Sequence, residues 1–323
     1  MEILSLLEPI RKELEVVEER LRQAVEVEQS RLEGVLRYVL DSGGKRIRPA
    51  LVILASKSHN SDATDRVLFL AAAVELLHTA TLVHDDLLDG SLMRRGNPTL
   101  NVDLSTGAVI LVGDYLFARA ADLAAETQSV PVVSIFAQAL MTICGGELKQ
   151  AFAEAAWRRT KEDYFQSIFS KTASLFAASG ESGALLSGAP PPTVRALRDY
   201  GYNLGMAFQI VDDILDFTGD EQELGKPIGS DLRQGTITLP LLLFLEMHPE
   251  VDLLPSIFKE QQGREEKIRT LVDMVRSSPA IRLAREEAQR FTAESKQAID
   301  QLSPSKYRQV MLDLADYLLE RRL

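Results

Sequence analysis

Apolar side chains return every three or four positions along almost the whole chain, the period of one face of an α-helix. Leu7, Ile10, Leu14, Val17 and Leu21 set that period first and predict an amphipathic helix over residues 3–27. A second helix is expected over 28–41, ending at Gly43-Gly44, and a third over 49–58 opened by Pro49, a residue suited to a first helical turn. Residues 63–89 predict a long, strongly apolar helix, and Ser91–Asp103 reads as a loop. Further helices are predicted near 105–125, 130–154 and 161–179, the last with Thr160 and Asp163 as an N-cap pair. Pro190-Pro191-Pro192 breaks the chain before a helix over 193–217. Residues 220–236 read as a polar loop long enough to suggest function, and helices resume near 238–247, 263–276, 278–302 and 304–322. No strand alternation and no solenoid-length repeat is legible, so the class is all-α, read as one domain over 1–323.

Two of these helices end in nearly the same acidic octapeptide. One is Leu82-Val83-His84-Asp85-Asp86-Leu87-Leu88-Asp89, the other Gln209-Ile210-Val211-Asp212-Asp213-Ile214-Leu215-Asp216. Residues four apart share a helix face. Asp85 and Asp89 therefore point together with Asp86 beside them, and Asp212, Asp216 and Asp213 repeat the arrangement. Carboxylates this close repel unless a cation neutralises them. Hard oxygen donors suit Mg²⁺, which takes a carboxylate or two from protein and the rest from water and substrate phosphates. One such patch reads more simply as a solvated helix end; two copies embedded in apolar sequence favour metal. A helix C-terminus disfavours anions, so carboxylates late in a helix need compensation.

Composition narrows the picture. The formal charge of −11 argues against a nucleic-acid binder. A single cysteine, Cys144, excludes an internal disulfide framework and a cysteine metal site, and fits a reducing cytosol. Met1–Glu13 lacks the basic start and apolar block of a signal peptide. No apolar run is expected to reach membrane-spanning length, Leu239–Met247 being far too short.

Cations and polar groups lie near the acids. Gly43-Gly44-Lys45-Arg46-Ile47-Arg48-Pro49 lacks the spacing of a P-loop, yet glycines beside three cations can surround a diphosphate. Read alone it is an ordinary basic turn. Arg94-Arg95 follows Asp89 closely enough to reach both metal and phosphate. His78 lies two helical turns before Asp85, and is either a satisfied core histidine or a phosphate ligand. Lys171-Thr172 sits in an apolar helix, where an ammonium needs an acid or a phosphate. Lys226, in the loop after the second motif, reads first as a surface lysine.

Taken together, these stretches resemble the trans-type (E) isoprenyl diphosphate synthases. The resemblance runs from about Gly43 to Pro240 and keeps the family's order through Gly113-Asp114, Gly146-Glu147, Phe208-Gln209, Gly225-Lys226-Pro227 and Thr238-Leu239-Pro240. It implies an isoprenoid-synthase helical bundle around a deep central cavity, normally a homodimer. It implies that the aspartate trios face each other at the cavity mouth and hold Mg²⁺, three ions with substrate bound. Lys45, Arg48, His78 and Arg95 match the isopentenyl diphosphate site; Arg94, Lys171, Gln209 and Lys226 match the allylic side, where farnesyl or geranylgeranyl diphosphate is expected. The implied reaction is ionisation of the allylic C–O bond, attack by the isopentenyl double bond, and proton loss. Lys171, Thr172, Gln209 and Lys226 are the expected catalytic groups. The chain departs from many members at Thr236, where a lysine is usual.

The cavity floor is expected below the first acidic motif. Ala80 stands five residues before Asp85, where short-chain members often carry an aromatic ring; Leu77, Leu76 and Ala73 lie deeper, with Phe136 and Met141 as more distant floors. The expected product is long, hexaprenyl to decaprenyl, with octaprenyl central. The alternatives are a geranylgeranyl or farnesyl diphosphate synthase, a terpene cyclase, and a noncatalytic subunit of a heteromeric synthase. A cytoplasmic protein with loose membrane association at most is expected.

Overall fold

The computed structural model describes residues 3–60, 62–152, 159–219, 227–251, 253–259 and 262–320. Helices dominate it, and the chain divides into two compact units. The first holds Met1–Met141, Leu175–Gly201 and Lys296–Leu314; the second holds Thr142–Ser174, Tyr202–Ser295 and Ala315–Leu323.

In the first unit the Asp65–Leu88 helix packs against Thr106–Ala125, Ile47–Lys57 and Arg11–Ala24. Its apolar residues run around the whole cylinder, and Val67, Ala71–Ala73, Leu76, Leu77 and Ala80 are buried. The predicted 3–27 helix is instead three pieces: Ile3–Leu6, a 3₁₀ turn Glu8–Ile10, and Arg11–Ala24. Pro9 explains the break, since it has no N–H to donate. The third helix starts two residues before Pro49, at Ile47, because the first-turn N–H groups are without helical partners anyway.

Asp65–Leu88 ends in a Schellman motif. Gly90 takes φ +61°, Ser91 N–H donates to the Asp86 carbonyl at 2.9 Å, and Gly90 N–H donates to Leu87 at 3.2 Å. The expected loop beyond it contains a small antiparallel hairpin, Met93–Arg94 with Asn97–Pro98. Arg95 and Gly96 turn it with φ +51° and +79°, the signs a two-residue hairpin turn requires. Two residues per strand are too few for alternation to show.

Among the described residues, two helices are long and apolar enough to cross a membrane by length and composition, Asp65–Leu88 and Val130–Ala151. Neither is an uninterrupted apolar run: Asp65–Leu88 contains Arg66, Glu75, Asp85 and Asp86, and Val130–Ala151 contains Glu147 and Lys149. Asp65–Leu88 is mostly buried in its unit; Val130–Ala151 is mostly exposed. Met141 on that helix is 65% exposed, unlike the floor residue expected of it.

In the second unit a core of Tyr164, Ile168, Ile210, Phe217, Leu239, Phe244, Leu271 and Phe291 gathers the helices Leu239–Met247, Arg264–Arg276 and parts of their neighbours. Lys161–Ile168 opens with the predicted capping box at Thr160 and Asp163. The predicted 161–179 helix is interrupted by one π-helical turn over Phe169–Ala173 before Ser174–Leu186 resumes. Such bulges cluster at functional sites. A short helix, Leu254–Lys259, was not expected, and Ser230–Arg233 is helical within the expected loop.

Candidate active site

The first unit assembles the basic cluster. Arg46 enters the Ile47–Lys57 helix with φ +50° and is held by two acids: Nε donates to Glu18 at 2.5 Å and Nη1 to Glu75 at 2.8 Å. Arg46 is therefore committed to the scaffold, although it stands inside the basic motif. Arg48 is different. Its guanidinium lies 4.8 Å above the Phe176 ring, and its Nε is buried without a hydrogen-bond partner among the described residues. Desolvation, opposed by Glu75 and reinforced by Arg95, pushes Arg48 down to about 10. A buried guanidinium with an idle donor needs an anion.

His78 is half-buried on the Asp65–Leu88 helix. Burial first, then the charges of Arg48, Arg95, Arg94 and Arg46, hold its pKa well below the usual histidine value. At neutral pH it is an uncharged imidazole surrounded by four guanidinium groups. Arg95 donates to the Gly43 carbonyl, tying the hairpin turn to the glycine pair. Lys45 is exposed. Lys45, Arg48, His78 and Arg95 thus all belong to the first unit, with the last three in one electrostatic neighbourhood.

The first acidic motif lies where the helix dipole is least favourable. Asp85 and Asp86 occupy the last turn, Asp89 is the C-cap, and no basic residue shares that turn. The three do not behave alike. Asp86 is buried, and Arg94 Nε donates to both its oxygens at 2.8 and 2.9 Å. Desolvation still raises its pKa against the pull of Arg94. Asp85 is half-buried and Asp89 exposed. Asn101 Nδ2 donates to the Asp86 and Ser91 carbonyls at 2.7 and 2.8 Å, bracing the helix end.

His84, the residue before Asp85, is held against the Thr106–Ala125 helix. Its Nε2 is 3.1 Å from the Ile110 carbonyl, and its ring meets Phe117 edge-on at 5.3 Å. The ring fits because Gly113 has no side chain. A Cβ there would lie 2.9 Å from His84 Cε1 and closer still to Nε2 and Cδ2.

The second unit holds the other trio at the end of Pro191–Thr218. Asp213 is buried; Tyr164 donates its hydroxyl to Oδ2 at 2.7 Å and Gln209 Nε2 donates to Oδ1 at 2.9 Å. Desolvation first, then Asp231 and Asp212, press its pKa well above the carboxylate range despite those two bonds. Asp216 is buried and accepts the Asp231 N–H at 3.1 Å. Asp212 alone of the trio is half-exposed. Among the described residues, no three acids, histidines or cysteines already form a closed metal cage. The donor chemistry still fits a divalent ion: half-open carboxylates at an anion-disfavouring helix end are the few protein ligands that Mg²⁺ takes.

Lys171 and Thr172 lie in the π-turn. Lys171 Nζ is 3.1 Å from Glu147 Oε1, although Lys171 is exposed rather than enclosed in an apolar helix as expected. Thr172 Oγ1 donates to Gln209 Oε1 at 2.6 Å. Lys226 lies outside the described residues. Thr236 donates its N–H to the Asp231 carbonyl at 2.8 Å. Ala80, Leu77 and Leu76 have no accessible surface, and Phe136 is 5% exposed, so all four are closed in. Glu75, His84, Glu147, Tyr164 and Asp231 were not singled out from sequence as site groups. Of these, His84, inside the acidic octapeptide, Glu147, beside Gly146, and Asp231, in the Asp231-Leu232 stretch that belongs to the resemblance, carried a local signal.

The Polyprenyl synthetase family model matches residues 29–275. A heptaprenyl diphosphate synthase component 2 of Geobacillus stearothermophilus is 37% identical over 309 residues, covering 96% of each chain. Among solved structures, a polyprenyl synthase of Caulobacter crescentus, crystallised with calcium and isoprenyl diphosphate, aligns with TM-score 0.94 at 33% identity, over 100% of this chain and 98% of that one. A geranylgeranyl pyrophosphate synthase of Lactobacillus brevis aligns with TM-score 0.91 at 31% identity, over 99% of both.

Proposed function

This chain belongs to the polyprenyl synthetase family and is a prenyltransferase, and from that premise we propose that it condenses isopentenyl diphosphate onto an allylic diphosphate and repeats the step to a long trans-polyprenyl product. The observation that carries this reading is the division of labour within the acids. Asp86, Asp213 and Asp216 are buried beside protein donors, while Asp85, Asp89 and Asp212 lie half-buried or at the surface, where an ion arriving from solvent can reach them. The second set are the metal ligands, the first set their supports. A bound Mg²⁺, three ions with substrate in place, supplies neutralisation of the leaving diphosphate.

The chain's own residues do the rest. Arg48, whose buried Nε lacks a partner, and neutral His78 receive the isopentenyl diphosphate with Lys45 and Arg95. Arg94, Lys171 and Lys226 serve the allylic diphosphate. The Thr172 hydroxyl, its proton given to Gln209, turns an oxygen lone pair toward the allylic carbocation. The isopentenyl double bond attacks that cation, and the proton lost afterwards passes to the departed diphosphate.

The product length rests on Ala80, which leaves no ring across the expected path, and the matched Geobacillus protein carries a heptaprenyl name. A second reading, a geranylgeranyl-length product, is favoured by the closure around Leu76, Leu77 and Ala80. Exposed Ile110, Leu111, Val130, Val133 and Met141 support a homodimer, since one copy leaves these apolar residues in water. The protein acts as one catalytic domain in the cytoplasm, loosely attached to membrane through its lipophilic product.

The test is purified protein with farnesyl diphosphate, labelled isopentenyl diphosphate and Mg²⁺, with products dephosphorylated and sized. Elongation of six to ten isoprene units, abolished by chelator, is expected. Cyclised terpene, or no consumption of isopentenyl diphosphate, overturns the reading; a four-unit product selects the shorter alternative.

A further inference from the structure

We propose that Tyr164 is a positioning residue for the condensation, acting through Asp213 and Gln209 on Thr172. This rests on the reading above, in which Thr172 and Gln209 face the allylic group. Three hydrogen bonds run in series: Tyr164 Oη to Asp213 Oδ2 at 2.7 Å, Gln209 Nε2 to Asp213 Oδ1 at 2.9 Å, and Thr172 Oγ1 to Gln209 Oε1 at 2.6 Å. Each bond sets the direction of the next. The Gln209 amide nitrogen can only donate, so it faces the carboxylate, and its carbonyl oxygen is left for Thr172. The Thr172 proton is thereby committed, and what its oxygen has left to offer is lone pairs.

Asp213 is the hinge of the series, held from its own helix by Gln209. Tyr164 comes from another helix, Lys161–Ile168, whose start is fixed by the Thr160–Asp163 capping box. Its ring is buried at 1% exposure, edge-on to Phe165 at 5.5 Å, with the Arg159 guanidinium 5.7 Å from its centroid. The phenol can barely move. It holds the carboxylate plane, the carboxylate holds the amide, and the amide orients the hydroxyl. Thr172 lies in the π-turn, a rare helical geometry that recurs at functional sites.

Removing the phenol oxygen in Tyr164→Phe leaves the packing but frees Asp213. The expected result is a fall in kcat of about 10- to 100-fold with KM for both diphosphates within about twofold, as for other groups that orient a catalytic residue. In a Gln209→Ala background the same change is expected to alter kcat by less than about twofold, since the series is already cut. Asp213→Asn, which can still accept from Tyr164 but turns an NH₂ toward the Gln209 NH₂, is expected to lower kcat similarly; it carries the test if Tyr164→Phe does not fold. Wild-type kcat in either single variant, an effect confined to KM, or an equal loss in the Gln209→Ala background overturns the proposal. A crystal structure of Tyr164→Phe with the Gln209 amide still on Thr172 does so as well, whatever the activity. Failure of the elongation reading shows instead in the wild type.

Discussion

Substituting Gly113 by alanine tests how the first acidic motif is held. Residue 113 lies in the Thr106–Ala125 helix, where Gly→Ala alone gains about 1 kcal/mol of helix propensity. Here the added carbon falls on the His84 ring, with Cε1 at 2.9 Å and two other ring atoms nearer. Such contacts do not occur between real Cβ atoms and ring atoms, so the ring or the helix must move. The ring is not free to swing away, because Phe117 and the Ile110 carbonyl hold it. Overpacking of this kind costs about 1–3 kcal/mol, against the propensity gain of about 1 kcal/mol, so the net loss is at most about 2 kcal/mol. For a chain this size that lowers Tm by at most roughly 3 °C. Activity should fall further than stability suggests. Asp85 follows His84 directly, and a displacement of about 1 Å in a positioned group costs about 100-fold. Thermal unfolding and the elongation assay measure the two losses. His84→Ala combined with Gly113→Ala removes the collision and should recover part of the lost Tm. A Gly113→Ala protein with wild-type Tm and kcat refutes the account of His84 as the brace of Asp85.

Three further outcomes follow from the geometry. Ala80→Phe should shift the product to fewer isoprene units by chromatography, with stability reduced by about 1–3 kcal/mol because Ala80 is closed in; an unchanged product ladder refutes the chain-length argument. Arg94→Ala strands the Asp86 carboxylate, so urea unfolding at pH 8 should show a loss of about 1–3 kcal/mol. That loss should shrink toward pH 5, because protonation removes the stranded charge; a loss independent of pH counts against the ion pair. His78 has a folded pKa below its unfolded one, so the folded state resists taking up a proton. Its stability deficit is absent above pH 6.5 and grows by about 1.4 kcal/mol per pH unit below it until the folded pKa is reached. His78→Gln should flatten that limb of the stability–pH curve.

Much of this protein is readable from one dimension, because its information is local. Helix period, the Pro and Gly breaks and the Thr160–Asp163 cap depend on residues within a few positions of one another, and they located nearly every helix. The paired acidic octapeptides and the ordered basic motifs likewise sit in contiguous strings, so family and chemistry were legible there. What sequence could not decide is how identical residues divide their work. Six aspartates in two matching strings look equivalent, yet Asp86, Asp213 and Asp216 are bound to protein donors brought by Arg94, Tyr164 and Asp231, which only folding places beside them. Arg46 and Arg48 stand two residues apart in one basic turn; tertiary contacts commit the first to Glu18 and Glu75 and leave the second with an idle buried donor. The π-turn under Lys171 and Thr172 and the collision space at Gly113 have the same origin. Hydrogen-bond partners and contact distances across helices depend on where distant chain segments meet, and a string of residues carries no such coordinate.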